Sequence, residues 1–140
     1  MRRTRAITGL SSFFVLTALV ASACGSDKST GPNITAADVQ GQWSLVSINA
    51  GTGVLTPPTA TGELSLTLTN YNLDLTLPPP VGEEIDSGTY TISGSSWSQT
   101  SKANGSQQVG TATLSSNRDT LGVNTTAQGQ SIATVWARHQ

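Results

Sequence analysis

Alternation of apolar and polar residues is the clearest regularity along this chain. In Gly62-Glu63-Leu64-Ser65-Leu66-Thr67-Leu68-Thr69 every second position from Leu64 to Leu68 is leucine, and Tyr71-Asn72-Leu73-Asp74-Leu75-Thr76-Leu77 repeats the pattern. Successive side chains of a strand point to opposite faces, so each run has one leucine face and one polar face. Wound as a helix, the same leucines would scatter around the cylinder. Further strands are expected at Gln42 to Asn49, Ser87 to Ser93, Trp97 to Ser101, Gln108 to Leu114, Thr120 to Asn124 and Ser131 to Arg138. In the first of these, Trp43 and Leu45 share one face while Val46 and Ile48 share the other. That break in phase predicts a bulge, or a strand shared between two packing surfaces.

The joints are built from turn formers such as Ser93-Gly94-Ser95, Ala103-Asn104-Gly105-Ser106 and Gln128-Gly129-Gln130. Only Ala50 to Ala60 and Pro78 to Ile85 are longer, and both carry prolines, which cannot donate to a sheet ladder. Thr35 to Val39 has room for one helical turn. Short links make consecutive strands antiparallel neighbours. The expected fold is therefore all-β, an eight-stranded antiparallel up-and-down barrel, in which closure removes the exposed edges. An immunoglobulin-like sandwich competes, but it wants Greek-key crossovers and few links here are long enough.

The N-terminus follows the layout of a secretory signal. Arg2, Arg3 and Arg5 precede an uncharged stretch from Ile7 to Val20, which closes on Ala21, Ser22 and Ala23. A spanning helix needs about 20 mostly apolar residues. This stretch is shorter and rich in Ser, Thr and Gly, which weighs against an uncleaved anchor. The segment Val20-Ala21-Ser22-Ala23-Cys24 resembles the lipobox of bacterial lipoproteins, with Ala21 where leucine is usual. The resemblance implies cleavage before Cys24, acylation of that cysteine and attachment to a membrane. Two or three acyl chains, at about 0.8 kcal/mol per buried CH₂, anchor stably. Cys24 is the single cysteine of the chain, so it closes no internal disulfide. An ordinary signal cut beside an idle thiol is the alternative.

Gly25 to Asn33 is small, polar and punctuated by Gly and Pro, the composition of a flexible linker. The expected organisation is a signal peptide at 1–23, a lipidated cysteine and linker at 24–36, and a barrel domain at 37–140. Gly25 differs from the Asp that retains lipoproteins in the inner membrane of enteric bacteria, so the resemblance implies an outer-membrane location.

Without the signal the chain keeps Lys28, Lys102, Arg118 and Arg138 against eight acidic residues, a net charge of −4. Such a balance offers no phosphate-binding surface and argues against a nucleic-acid partner. Its length suits one domain, expected to be monomeric.

Gly41-Gln42-Trp43 at the first strand is similar to the Gly-x-Trp motif that opens lipocalin barrels, and Trp136-Ala137-Arg138 ends the last strand where lipocalins carry an arginine. Ser87 to Gly94 also resembles the central strand of small bacterial lipocalin-like domains. The resemblance implies a barrel closed by Gly41, Trp43 and Arg138, with the guanidinium over the indole face, a favourable cation–π arrangement. The chain is shorter than the transporters of that family and lacks the disulfide common in its animal members.

Candidate chemistry is sparse. The single histidine, His139, is the penultimate residue. Without it no Ser-His-Asp arrangement forms, and zinc finds no set of Cys or His ligands. No enzyme, metal or cofactor is expected. Glu83, Glu84 and Asp86 are expected to form a solvated acidic loop. Asn33-Ile34-Thr35 and Asn124-Thr125-Thr126 match glycosylation acceptors and are read as chance. Trp43, Trp136, Tyr71 and Tyr90 are expected in the core, and Trp97 at the mouth of the barrel or on the surface. If a ligand enters, the expected lining is Leu66, Leu68, Leu73, Leu75, Tyr90 and Trp97. Two readings follow: a barrel that binds a small apolar molecule at the cell envelope, or a filled barrel that contacts an envelope protein, for example as an inhibitor.

Overall fold

The computed structural model describes residues 33–140. Cys24, the signal segment and the linker as far as Pro32 lie outside the described residues. One short helix, α1 (Ala36–Val39), precedes nine strands: β1 (Gly41–Asn49), β2 (Val54–Leu55), β3 (Thr61–Leu66), β4 (Asn70–Thr76), β5 (Glu83–Ser93), β6 (Ser96–Ser101), β7 (Gln107–Leu114), β8 (Thr120–Ala127) and β9 (Gln130–Arg138). From β3 onward each strand pairs antiparallel with the next, and β1 pairs with both β3 and β9. The sheet therefore closes on itself as an eight-stranded up-and-down barrel. The two-residue β2 adds to the far end of β1 through Ile48↔Leu55 and Asn49↔Val54.

Alternation in sequence becomes alternation in burial. In β4, Tyr71 and Leu75 are buried while Asn72 and Asp74 face outward; in β8, Leu121, Val123 and Thr125 point in. The phase break in β1 is a bulge: its register against β9 slips between Leu45 and Ser47. The slip leaves Val46 outside at 43% exposure and turns Ile48 inward beside Trp43 and Leu45. Without it, period two would place Ile48 on the solvent face.

Besides the unexpected β2 and small shifts at other strand ends, such as β8 running on to Ala127, three differences from the sequence expectation bear on the interior. First, β3 stops at Leu66 rather than Thr69. The Thr67 N–H donates to the Asn70 carbonyl at 2.9 Å, and the Asn70 N–H donates to Thr67 Oγ1 at 3.0 Å. This local side-chain bonding competes with the ladder and closes a turn that takes Leu68 out of the strand. Second, β5 begins at Glu83, so the acidic run belongs to the sheet, paired from Thr76↔Glu83 to Asn72↔Ser87. The preceding proline segment is closed by the Leu77 N–H donating to the Gly82 carbonyl at 2.8 Å, with Gly82 at φ +74 supplying the tight return. Third, Ile34 is buried in the core, so the packed body includes residues ahead of 37.

The core is asymmetric along the barrel axis. One end, formed by α1 and the turns after β3, β5 and β7, is closed and packed. At the other end, the turns after β4, β6 and β8 surround an opening.

Candidate functional site

Trp43 is fully buried and fixes the closed end. Its indole N–H donates to the Val39 carbonyl at 2.8 Å, fastening α1 beneath the barrel. The Arg138 guanidinium carbon lies 4.2 Å from the centroid of the same indole. Arg138 also donates to the carbonyls of Asp38 (2.7 Å), Gln40 (2.7 Å) and Arg118 (2.9 Å). One side chain thus joins the plug helix, the β7–β8 turn and the floor of the barrel. Gly41 has a positive φ of 135, and a Cβ there would stand 3.1 Å from an Arg138 nitrogen, so glycine suits the close approach.

Asp38 sits in the same seam. Its carboxylate accepts from the Thr35 N–H and hydroxyl and pairs with Arg118 at 3.1 Å. The Thr35 hydrogen bonds, and secondarily Arg118, hold it below the usual aspartate value despite some desolvation.

Above this floor the barrel is not filled. A cavity of about 240 Å³ occupies its open half. Ile48, Leu64, Leu73, Leu75, Ile132 and Trp136 give it an apolar wall, and Leu77 and Val81 stand at its rim. The facing wall, from β5 to β8, is polar: Glu84, Asp86, Gln99, Gln108 and Thr125. The Trp97 indole N–H donates to Gln99 Oε1 at 2.9 Å, and the Thr125 hydroxyl donates to Gln108 Oε1 at 3.3 Å. Both glutamines are thereby oriented by donors to their carbonyl oxygens.

Asp86 anchors this wall. Its Oδ2 accepts from the Tyr71 hydroxyl and its Oδ1 from the Ser101 hydroxyl, each at 2.6 Å. The sequence around Asp86 explains how two strands reach it. Gly88, two residues along on the same face, lies opposite Tyr71 on β4 and Ser101 on β6. A Cβ at Gly88 would stand 1.9 Å from the Thr100 carbonyl oxygen and 3.0 Å from the Tyr71 ring. The absent side chain lets both neighbours close over the backbone and lean to Asp86. Burial, and then the bond to Asp86, push the Tyr71 phenol far above its ordinary value; burial also raises Tyr90.

Of the residues expected to line a ligand site, Leu73, Leu75 and Trp97 reach the cavity. Leu66 and Tyr90 are buried below it, with Tyr90 stacked on Trp97 at 4.9 Å between centroids. Leu68 is not a lining residue: it is 55% exposed in the β3–β4 turn, for the reason given above. Trp97 stands neither at the mouth nor on the surface but is 3% exposed in the interior. The acidic residues stand in a strand rather than a loop: Glu83 and Glu84 are exposed, as expected, while strand pairing through Glu83 sends Asp86 inward. Alternation from Tyr90 back through Gly88 carries the signal that places Asp86 and Glu84 on the inner face.

His139 docks outside the barrel, its N–H donating to the Gln42 carbonyl at 2.9 Å. Its Nε2 meets both the Ser44 hydroxyl and, at 3.0 Å, Glu63 Oε2. A hydroxyl–imidazole–carboxylate relay uses both ring nitrogens. Here one nitrogen serves both partners, which is the geometry of a surface hydrogen-bonded cluster. Among the described residues no group of three or more His, Cys, Asp or Glu side chains is arranged to hold a metal.

No protein-family model matches the chain, and no curated protein matches it. Among solved structures it is similar to a de novo designed fluorescence-activating β-barrel, with a TM-score of 0.51 and 16% identity over 76% of this chain and 99% of that one. It is also similar to a variant of the fluorescent protein UnaG (TM-score 0.43, 11% identity, 74% of this chain and 98% of that one). A third similar structure is the siderocalin Ex-FABP (TM-score 0.41, 12% identity, 73% and 71%). At this identity the first likeness concerns the fold alone.

Proposed function

We propose that this chain is a non-catalytic binding protein of the bacterial cell envelope, a monomeric barrel tethered by lipid on Cys24 that holds a small, largely apolar molecule. The unfilled lumen carries this reading. A well-packed interior leaves few voids larger than a water molecule. A cavity of 240 Å³ with leucine, isoleucine and tryptophan on one wall is well above that size. Dry cavities of roughly 150 Å³ take up a benzene, and drug-sized ligands fill roughly 300–1,000 Å³. The lumen therefore suits a molecule of one or two rings, or a short chain.

The envelope setting rests on the signal layout and the resemblance of residues 20–24 to a lipobox. The outer membrane is favoured by Gly25. Closure of β1 on β9 leaves no long unpaired edge to recruit a second copy, which supports a monomer.

The direct test is uptake of an environment-sensitive apolar dye by purified residues 33–140. Saturable emission, displaced by small apolar competitors, supports the reading; absence of saturable binding overturns it. A second reading, an interaction module without a small ligand, draws on the packed lower half, where Trp43, Leu66, Tyr90 and Leu121 are all buried. It predicts no dye uptake.

A further inference from the structure

We infer that the preferred ligand carries a positive charge or a cluster of hydrogen-bond donors at one end of its apolar body, and that Asp86 receives that end. This rests on the lumen being a ligand site and specifies what the site selects. The lining is sharply divided. Leu73 and Leu75 stand on the apolar wall, while Asp86 and Glu84 bring two carboxylates to the other. Among the described residues the basic side chains are Lys102, Arg118 and Arg138, and none lines the cavity. An anionic ligand would meet two carboxylates and no cation in the lining, Lys102 standing outside it on the β6–β7 turn, in a site where low dielectric strengthens repulsion.

The network around Asp86 positions that carboxylate for such a ligand. Each of its oxygens accepts one hydroxyl proton, and an ionised carboxylate offers about four lone-pair sites in all, so two remain for a guest. Both hydroxyls come from the strands flanking Asp86, so the carboxylate is fixed in rotation before the ligand arrives. Trp97 and Tyr71 are also in the lining, beside the same carboxylate wall. Glu84 is exposed near the opening and makes no ion pair among the described residues. It serves as an entry charge for the same ligand. The volume limits the body to one or two rings, as above, so the ligand class is a small aryl or alicyclic amine, amidine or quaternary ammonium ion.

The test compares three probes of one skeleton by calorimetry with residues 33–140: 2-phenylethylammonium, 2-phenylethanol and 3-phenylpropionate. The ammonium ion should bind at least tenfold more tightly than the alcohol, and the carboxylate should bind least. Added salt should narrow the preference, since Glu84 is open to solvent. Asp86→Asn should equalise ammonium and alcohol while leaving alcohol affinity within about threefold. Because Asp86→Asn disturbs a buried network, Glu84→Gln serves as the second variant, lowering ammonium affinity two- to fivefold with folding unchanged. Equal binding of ammonium and alcohol by the wild-type protein, or tighter binding of the carboxylate, overturns the inference while leaving a ligand-binding barrel standing. If none of the probes binds but the apolar dye does, the inference fails alone. If neither the probes nor the dye bind, the ligand-binding reading fails with it.

Discussion

The Tyr71 hydroxyl donates to Asp86 across 2.6 Å, joining neighbouring strands β4 and β5 inside the barrel at the boundary between its packed floor and its cavity. The bond commits the phenol proton to the carboxylate and gives the fold a measurable alkaline limit. In the unfolded chain a tyrosine loses its proton near pH 10. In the folded protein burial and Asp86 hold the Tyr71 proton well beyond that. Above about pH 10 the unfolded state therefore binds fewer protons than the folded state, and stability falls as pH rises; below that pH the contribution is complete. Urea midpoints should decline steeply above pH 10. Tyr71→Phe should flatten that decline, leaving a residual slope from Tyr90, whose value is also raised. At neutral pH the same variant should lose about 1.5–3 kcal/mol, the worth of a hydrogen bond to a charged group. Parallel alkaline profiles for the two proteins would show that Tyr71 titrates normally.

The contact of Arg138 with Trp43 predicts coupling at the closed end. Trp43→Ala removes a fully buried indole and should cost about 3–5 kcal/mol. Arg138→Ala should cost on the order of 1–2 kcal/mol, as a partly desolvated cation–π pair does. The double variant should lose less than the sum, by more than about 0.5 kcal/mol. Arg138→Lys should not restore stability, because an ammonium lacks the planar fork that serves three carbonyls. Strictly additive denaturation energies would mean the pair carries no interaction.

The proposed anchoring is tested in cells through Cys24. The wild-type chain should incorporate labelled palmitate and fractionate with membranes. Cys24→Ser should incorporate none and accumulate as precursor. A wild-type protein that stays unlabelled, or that is released soluble, would contradict the lipid tether.

Much of this architecture is legible in the sequence because a closed barrel repeats one local rule. Leu64 to Leu77 and Thr120 to Asn124 show that rule openly, and the clash of phase at Val46 announces the bulge. The interior chemistry was hidden by the same rule. Asp86 is a carboxylate at an inward position, so a hydrophobic-in, polar-out reading assigns it to solvent with its exposed neighbour Glu84, and the prolines before them suggest a longer loop. Gln99 and Gln108 are masked likewise, being polar residues in phase with Trp97 and Ala112. Leu68 failed in the opposite sense. It continues the leucine alternation, yet the Thr67–Asn70 turn ends the strand at Leu66, two residues before it. Periodicity assigns faces, but the point where pairing stops depends on hydrogen bonds between residues whose types carry little periodic signal.

The most direct test of an open, ligand-holding lumen pairs two substitutions that differ in side. Leu75 lines the cavity and is buried, while Leu68 lies outside in the turn. Leu75→Trp adds bulk where space is free, so it should abolish binding of the apolar dye while shifting stability by less than about 1 kcal/mol, below the usual 1–3 kcal/mol cost of overpacking a filled core. Leu68→Trp should leave both dye binding and stability unchanged. Measuring dye titrations and urea midpoints on the wild type and both variants decides the matter. Dye binding by the wild type and by Leu68→Trp, lost only in a stable Leu75→Trp, is the predicted result. A wild type that binds no dye, with Leu75→Trp destabilised by several kcal/mol, would show the barrel to be filled and contradict the ligand-binding function.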